Sequence, residues 1–277
     1  MTDNQLALPV ELLVGIFTEV AGDLNEAANL CRVSTWVQDV VEPILYRVLA
    51  LKSTSKREMQ RHMEDPKVRK HLRALGIVHA PINAITSPLF PLRNIRNFAT
   101  NGFYNMDLIN SSRLEEFHLL TNGPLGQGGL PKLKKFHISG YRVNQLLVSH
   151  SFPIDGILRH INLTHIAFSV PEDPNLPGIF PAINRLLKGH KSLSILLVRL
   201  LRSTSLVLRG TGAAEYESAE RRLASIGDPR LFVERVDVST EPEELLNEWE
   251  SNARSGRSIW DRAESQLAER IWVRRDL

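Results

Sequence analysis

The chain has 277 residues, 43% of them hydrophobic and 23% charged, which is enough for one or two packed domains and excludes a disordered polymer. A formal net charge of +3 is too small at this length to select nucleic acid as a partner, and a single cysteine, Cys31, excludes an internal disulfide and suits a reducing compartment. Asp3 and the absence of a basic segment at the N-terminus argue against a signal peptide; the longest apolar stretch, Leu193 to Leu208, is broken by Arg199 and Arg202 and is too short to span a bilayer.

Pro9 falls in the first turn of the first predicted helix, where its missing N–H is no loss and its fixed φ is already helical. Projected at about 100° per residue, Val10 to Ala21 gathers Glu11, Gly15, Thr18 and Glu19 on one side. The other side holds Leu12, Ile16, Val20, Leu13, Phe17, Val10 and Val14. That apolar arc of roughly 200° is about twice what a surface helix needs, so the helix has two faces to bury. The unit ends near Leu51, and about 50 residues make too small a core to cover both faces. The second face therefore meets either a partner or the rest of the chain. Asp23 followed by Glu26 reads as a capping box for a second helix, and Ser34 can cap a third. Pro43 ends that helix or restarts the chain as a short fourth.

Residues 6–51 resemble an F-box, the short helical module that binds the Skp-type adaptor of cullin-based (SCF) ubiquitin ligases. The resemblance rests on Leu8-Pro9-x-Glu11-Leu12-x-x-x-Ile16-Phe17, then Leu30-Cys31-Arg32-Val33-Ser34 with Trp36, then Pro43-x-Leu45-Tyr46. Three separated blocks in order are specific where Leu-Pro-x-Glu alone is weak. The resemblance implies adaptor docking by Leu8, Pro9, Leu12, Ile16, Phe17, Leu30, Val33, Ser34, Trp36, Leu45 and Tyr46, some of which serve as internal packing. Cys31, inside this stretch, reads as a small apolar packing residue.

From Leu49 the texture changes. Leu49-Ala50-Leu51 predicts a short strand, Ser55 to Glu58 a capping box opening a helix, Asp65-Pro66 another helix start, and Leu72 to Val78 the next strand. A unit of the form Leu-x-x-φ-x-φ then recurs from Ile95, Leu114, Leu133, Leu163 and Leu193, at steps of 19, 19, 30 and 30 residues. Such steps and this signature are similar to a degenerate leucine-rich-repeat solenoid, in which each strand stacks on the last. An ordinary α/β domain whose strands begin with Leu is the alternative. Val143 to Val148 and Ile179 to Leu187 show helical spacing, the second led by the proline-rich loop Pro171 to Pro181. Gly123 to Pro131 is a glycine-rich loop with no Lys-Ser/Thr after it and does not fit a phosphate cradle.

The last third predicts a helix over Ala213 to Ile226 stopped by Gly227-Asp228-Pro229, a strand over Leu231 to Val238, a helix opened by a capping box at Thr240 to Glu243 with Leu245, Leu246 and Trp249 inward, and a final helix from Ser258 with Trp260, Ala263, Leu267 and Ile271 in register. Asp228-Pro229-Arg230, Trp249, Gly256 and Trp260-x-x-Ala263-Glu264 also resemble the C-terminal region of F-box proteins with degenerate repeats, where a solenoid end cap is the plain expectation.

The nine histidines form no His-Glu-x-x-His, and neither a paired-cysteine metal motif nor a Gly-x-Ser-x-Gly elbow is present. His62 and His71 read as surface residues, whereas His118, His137 and His165 recur in three successive strand units and can line one face of a sheet. The fold class expected is α/β, with an F-box-like helical module over 1–51 and a leucine-rich-repeat-like β/α solenoid over 52–277, closed by C-terminal helices from about 213. Function is expected to be target recognition for an SCF-type ligase, without catalysis, cofactor, metal, nucleic acid or membrane, in cytoplasm or nucleus. The partners expected are the adaptor, through it a cullin, and a target protein the sequence does not identify. The alternatives are a repeat scaffold that engages no ligase and an enzyme of unrecognised type, which would need a concave pocket with convergent polar groups that the sequence does not advertise.

Overall fold

The computed structural model describes residues 9–21, 23–52, 55–78, 94–101, 113–120, 132–139, 162–171, 179–201, 212–237 and 241–275. Leu8, the 123–131 loop, the 143–148 segment, the greater part of the proline-rich loop and Thr240 lie outside these residues. Three helices open the chain: α1 (Val10–Val20), α2 (Leu24–Leu30) and α3 (Thr35–Leu45). Eight strands follow in one sheet: β1 (Val48–Lys52), β2 (Ala74–Val78), β3 (Asn97–Thr100), β4 (Glu116–Leu119), β5 (Lys135–Ser139), β6 (His165–Pro171), β7 (Ile195–Leu201) and β8 (Leu231–Val236). Every neighbouring pair is parallel, and the order across the sheet is the order in the chain. Between strands run α4 (Lys56–Glu64), α5 (Pro66–His71), α6 (Ile179–Gly189) and α7 (Gly212–Ala224), and after the last strand α8 (Pro242–Ser255) and α9 (Asp261–Arg275). The protein is thus α/β with a parallel eight-stranded sheet.

Local chemistry accounts for the helix ends. Asp23 accepts from the Asn25 and Glu26 amides, Ser34 from Val37, and Ser55 with Glu58 forms a reciprocal capping box. Three expectations need correction. Pro9 is the N-cap of α1, not its first helical residue: its ψ of 140° is extended, and its carbonyl accepts from the Leu12 and Leu13 amides at 3.0 and 3.2 Å. Pro43 neither ends α3 nor restarts the chain, because it sits in the final turn, where the Tyr46 amide still reaches the Glu42 carbonyl at 3.1 Å. The N-cap of α8 is Glu241, which makes no side-chain cap; Pro242 at N1 opens that helix.

One backbone device repeats at the start of the strands. The Arg47 carbonyl accepts from the amides of Arg73 and Ala74, the Arg73 carbonyl from Arg96 and Asn97, the Arg96 carbonyl from Glu115 and Glu116, and so on through Glu115, Lys134 and Thr164. Strands β1 to β7 therefore start at the same height as their neighbours. Just before these strands Leu72, Ile95, Leu114, Leu133, Leu163 and Leu193 are all buried, which explains the recurring unit.

Alternation along each strand gives the sheet two different faces. One carries Leu75, Ile77, Phe98, Phe117, Phe136, Ile166, Phe168, Leu196 and Val198 and packs against apolar side chains of α4, α5, α6 and α7 in a single large core. Its centre is a row of phenyl rings, Phe98 to Phe117 at 5.9 Å and Phe117 to Phe136 at 5.7 Å, both stacked. The other face is covered by the C-terminal helices. Leu245, Leu246 and Trp249 of α8 meet Val48, Ala74, Val78 and Ala99, while Trp260, just before α9, and Ala263 in it meet Ala167, Ile195, Leu197 and Phe232. No helix among the described residues is long and apolar enough to cross a membrane.

Gly76 marks the closest approach of α8. A Cβ there would lie 2.4 Å from a Leu246 methyl and 2.6 and 2.9 Å from the Trp249 ring. Gly76→Ala is expected to destabilise the fold by about 1–3 kcal/mol in urea unfolding, and by less in a Trp249→Leu background, where the ring that blocks the methyl is gone.

Candidate functional site

Two features stand out, an exposed apolar surface on the N-terminal helices and a buried polar network beneath the C-terminal ones. The N-terminal helices share a small core of Ala21, Ala27, Val37 and Val41, with Phe17, Leu30, Cys31, Ile44 and Leu45 packed half-buried against it. Burial next to Glu42 pushes the Cys31 thiol up, as suits a packing residue. Lys67 donates to Glu42 at 2.6 Å and holds that carboxyl below its usual range, tying α3 to α5. Despite its wide apolar arc, α1 has no buried residue.

The residues expected to dock on an adaptor divide accordingly. Leu12 is 55% exposed, Ile16 48%, Val33 69% and Trp36 42%, and Pro9 is exposed beside them in the chain. Phe17, Leu30 and Leu45 face the small core, and Phe17 meets the Trp36 ring edge-on at 5.9 Å. Tyr46 packs on the large core under Lys67, and Ser34 serves as the α3 cap. Val10, Val14, Val20 and Leu24 are also exposed and belong to the same group of residues. The first three were already in the helical arc. The wheel shows that α1 has two apolar sides but not which side the small core takes.

The second feature lies on the helix-covered face of the sheet. Between the apolar contacts of α8 and α9 the middle strands place Asn97, Glu116, His118, Lys135, His137, His165, Ser169 and Arg199. His118 and His137 are paired in register, with Nδ1 to Nδ1 at 3.0 Å and rings nearly perpendicular. His165 shares the face one row away, opposite Lys135, because it is the third residue of its unit where His118 and His137 are the fifth of theirs. His118 Nε2 contacts Glu116 Oε1 at 2.8 Å and His137 Nε2 contacts Ser169 Oγ at 2.7 Å. Arg199 donates to Ser169 at 3.3 Å and to Glu234 at 2.9 Å, and forms an ion pair with Glu248 of α8. The two indoles close the network: Trp260 donates to Glu116 at 2.8 Å, Trp249 to Asn97 at 2.9 Å, and Asn97 to Glu116 at 3.2 Å.

Burial and the nearby His118 and Arg199 push His137 well below its ordinary value, so its ring is neutral. Burial and Lys135 lower His165 to about 4, against the opposing pull of Glu264 at 3.2 Å. Burial raises the Glu116 carboxyl, but His118, the Trp260 N–H and Lys135 more than offset it and hold it below the usual range. The Ser169 to His137 distance is that of a nucleophile and its base. Yet Ser169 is fully buried and its oxygen already accepts from Arg199. The cavity beside His118 and His137, about 30 Å³, has room for a water molecule and is too small for a substrate. Among the described residues no group of three or more His, Cys, Asp or Glu is placed to hold a metal ion. The network's chemistry is that of a polar clasp holding α8 and α9 to the sheet.

The chain matches no protein-family model, no curated protein and no solved structure.

Two outcomes check the network. Ser139, next to Ser169 in register, buries a hydroxyl with no hydrogen-bond partner. Ser139→Ala is expected to be neutral or stabilising, whereas Ser169→Ala destabilises by about 1–3 kcal/mol in denaturant unfolding, since it strands His137 and one Arg199 donor. The unfolded chain takes up the His165 proton near 6.5 and the native protein only near 4. Between those values the unfolded state holds more protons, so stability falls as pH falls through that window. Thermal unfolding from pH 7 to pH 4 is expected to show that loss, reduced in His165→Gln.

Proposed function

We propose that the chain is the target-recognition subunit of an SCF-type ubiquitin ligase, with residues 1–51 an F-box-like module and 52–277 a degenerate leucine-rich-repeat-like solenoid. One observation carries the docking half. All eight large hydrophobic side chains that are exposed among the described residues fall between Val10 and Trp36. Apolar side chains collected on one small helical unit, with the other described residues keeping theirs inside, are the mark of an interaction surface. Burying each Leu or Ile there against a partner contributes about 1.5–3 kcal/mol, ample for a stable complex from a few such residues. The sequence pattern across the same residues is what names the partner as a Skp-type adaptor.

The solenoid half is supported by the chain-order parallel sheet, the repeated carbonyl bonding at the strand starts, and the packing of the helices described between strands into one core on a single face. Such a receptor makes and breaks no bond. It acts by raising the concentration of a bound target beside the transferring subunits. A repeat scaffold whose first helices cap the stack would bury Leu12 and Ile16 against residues beyond Leu49, and their exposure counts against it.

Co-purification with a Skp-type adaptor tests the reading. The intact chain is expected to retain the adaptor, and Leu12→Asp/Ile16→Asp, shown by circular dichroism to be folded, is expected to lose it. A folded wild-type chain that retains no adaptor overturns the proposal.

A further inference from the structure

Both faces of the sheet are taken, one by α4 to α7 and the other by α8 and α9. What the strands leave open and regular is the edge at which they begin. There the last turn of α5 and the segments at the starts of β2 to β5 place Lys70, Arg73, Arg96, Arg113, Lys132 and Lys134, and against these six bases the same segments carry one acid on the surface, Glu115. All but the half-buried Arg73 are exposed. The edge therefore has a charge of five, more than the +3 of the whole chain, so everything else taken together is net acidic by two.

The placement follows from the bonding at the strand starts. The carbonyl series Arg73, Arg96, Glu115, Lys134 sets these residues side by side in neighbouring turns, and Arg113 donates to Asn94 at 3.1 Å in the turn beside it. Neighbouring strands are about 4.8 Å apart, inside the screening length of about 8 Å at physiological salt, so adjacent bases reinforce one another's field. Arg73 is itself held in place by the Leu72 carbonyl at 2.9 Å.

We propose that this strand-start edge binds an acidic protein segment, and that, resting on the receptor reading above, it is where the target is held. An extended acidic chain laid across the turns meets one or two bases at each. Nucleic acid is the lesser fit: single strands use aromatic side chains as stacking platforms, and among the described residues the one large exposed aromatic is Trp36, on the N-terminal helices.

The test uses the full chain without adaptor and a fluorescein-labelled peptide of alternating Glu and Ser, read by fluorescence anisotropy at physiological salt. Arg96→Glu/Lys132→Glu/Lys134→Glu is expected to weaken binding by roughly tenfold or more, and Arg57→Glu/Arg61→Glu/Arg262→Glu, with the same charge change elsewhere, by less than about twofold. Arg96→Gln/Lys132→Gln/Lys134→Gln, which adds no repulsion, gives the same ranking should the reversal fail to fold. Equal losses in edge and control variants overturn the proposal, as does absence of binding by the wild type. Tighter, edge-dependent binding of a single-stranded oligonucleotide of equal charge also overturns it, in favour of nucleic acid. The adaptor co-purification is read separately, so a chain that holds the adaptor and ignores the peptide defeats this proposal and not the receptor reading.

Discussion

A single carbonyl shared by two amides governs this molecule. Wherever the turn before a strand gives its oxygen to the first two amides of the next unit, the next strand must begin at the same height and run the same way. A parallel sheet in chain order then follows, and the side chain just before each shared carbonyl is driven inward. That is why Leu114, Leu133 and Leu163 recur although the segments between them differ in length. The connections can vary because the constraint acts only where the strand starts.

The two sheet faces solve the burial problem by different chemistry. The phenyl row of Phe98, Phe117 and Phe136 needs only close packing and makes no demand on partners. The opposite face buries charged and polar groups, each of which needs a partner once water is excluded. Glu116 illustrates the requirement, receiving Asn97, His118 and Trp260 at once. Helices α8 and α9 supply the tryptophans and the Glu248 and Glu264 carboxylates without which that face would be wet.

The strands were legible in the sequence because Leu-x-x-φ-x-φ is a local signal, and Phe117, Phe136 and Phe168 fall in its φ positions. The helix caps at Asp23, Ser34 and Ser55 were legible for the same reason. The polar clasp was not. Glu116, Lys135 and His165 alternate with apolar neighbours, which in a strand reads as a solvated face. Contacts with residues far along the chain, Trp260 and Glu264, bury it. Trp249 is inward on its helix as the spacing implies, whereas Trp260, read as part of the final helix, lies in the turn just before it, and a helical wheel does not name the surface either one faces. On α1 the apolar arc announced two sides, and Phe17 gave no sign that it belongs with the small core while Ile16 does not.

The clasp also ties the two ends of the sheet's history together. Arg47, at the junction of α3 and β1, donates to the carbonyl of Arg254, and Arg254 donates back to the carbonyl of Val48, at 2.8 and 2.9 Å. The first strand is thus finished by the last sixth of the chain. During synthesis the ribosome delivers all eight strands before it delivers their cover, and a growing chain keeps its His, Glu and Arg side chains in water until the end. Until α8 and α9 emerge, that face of the sheet has no cover.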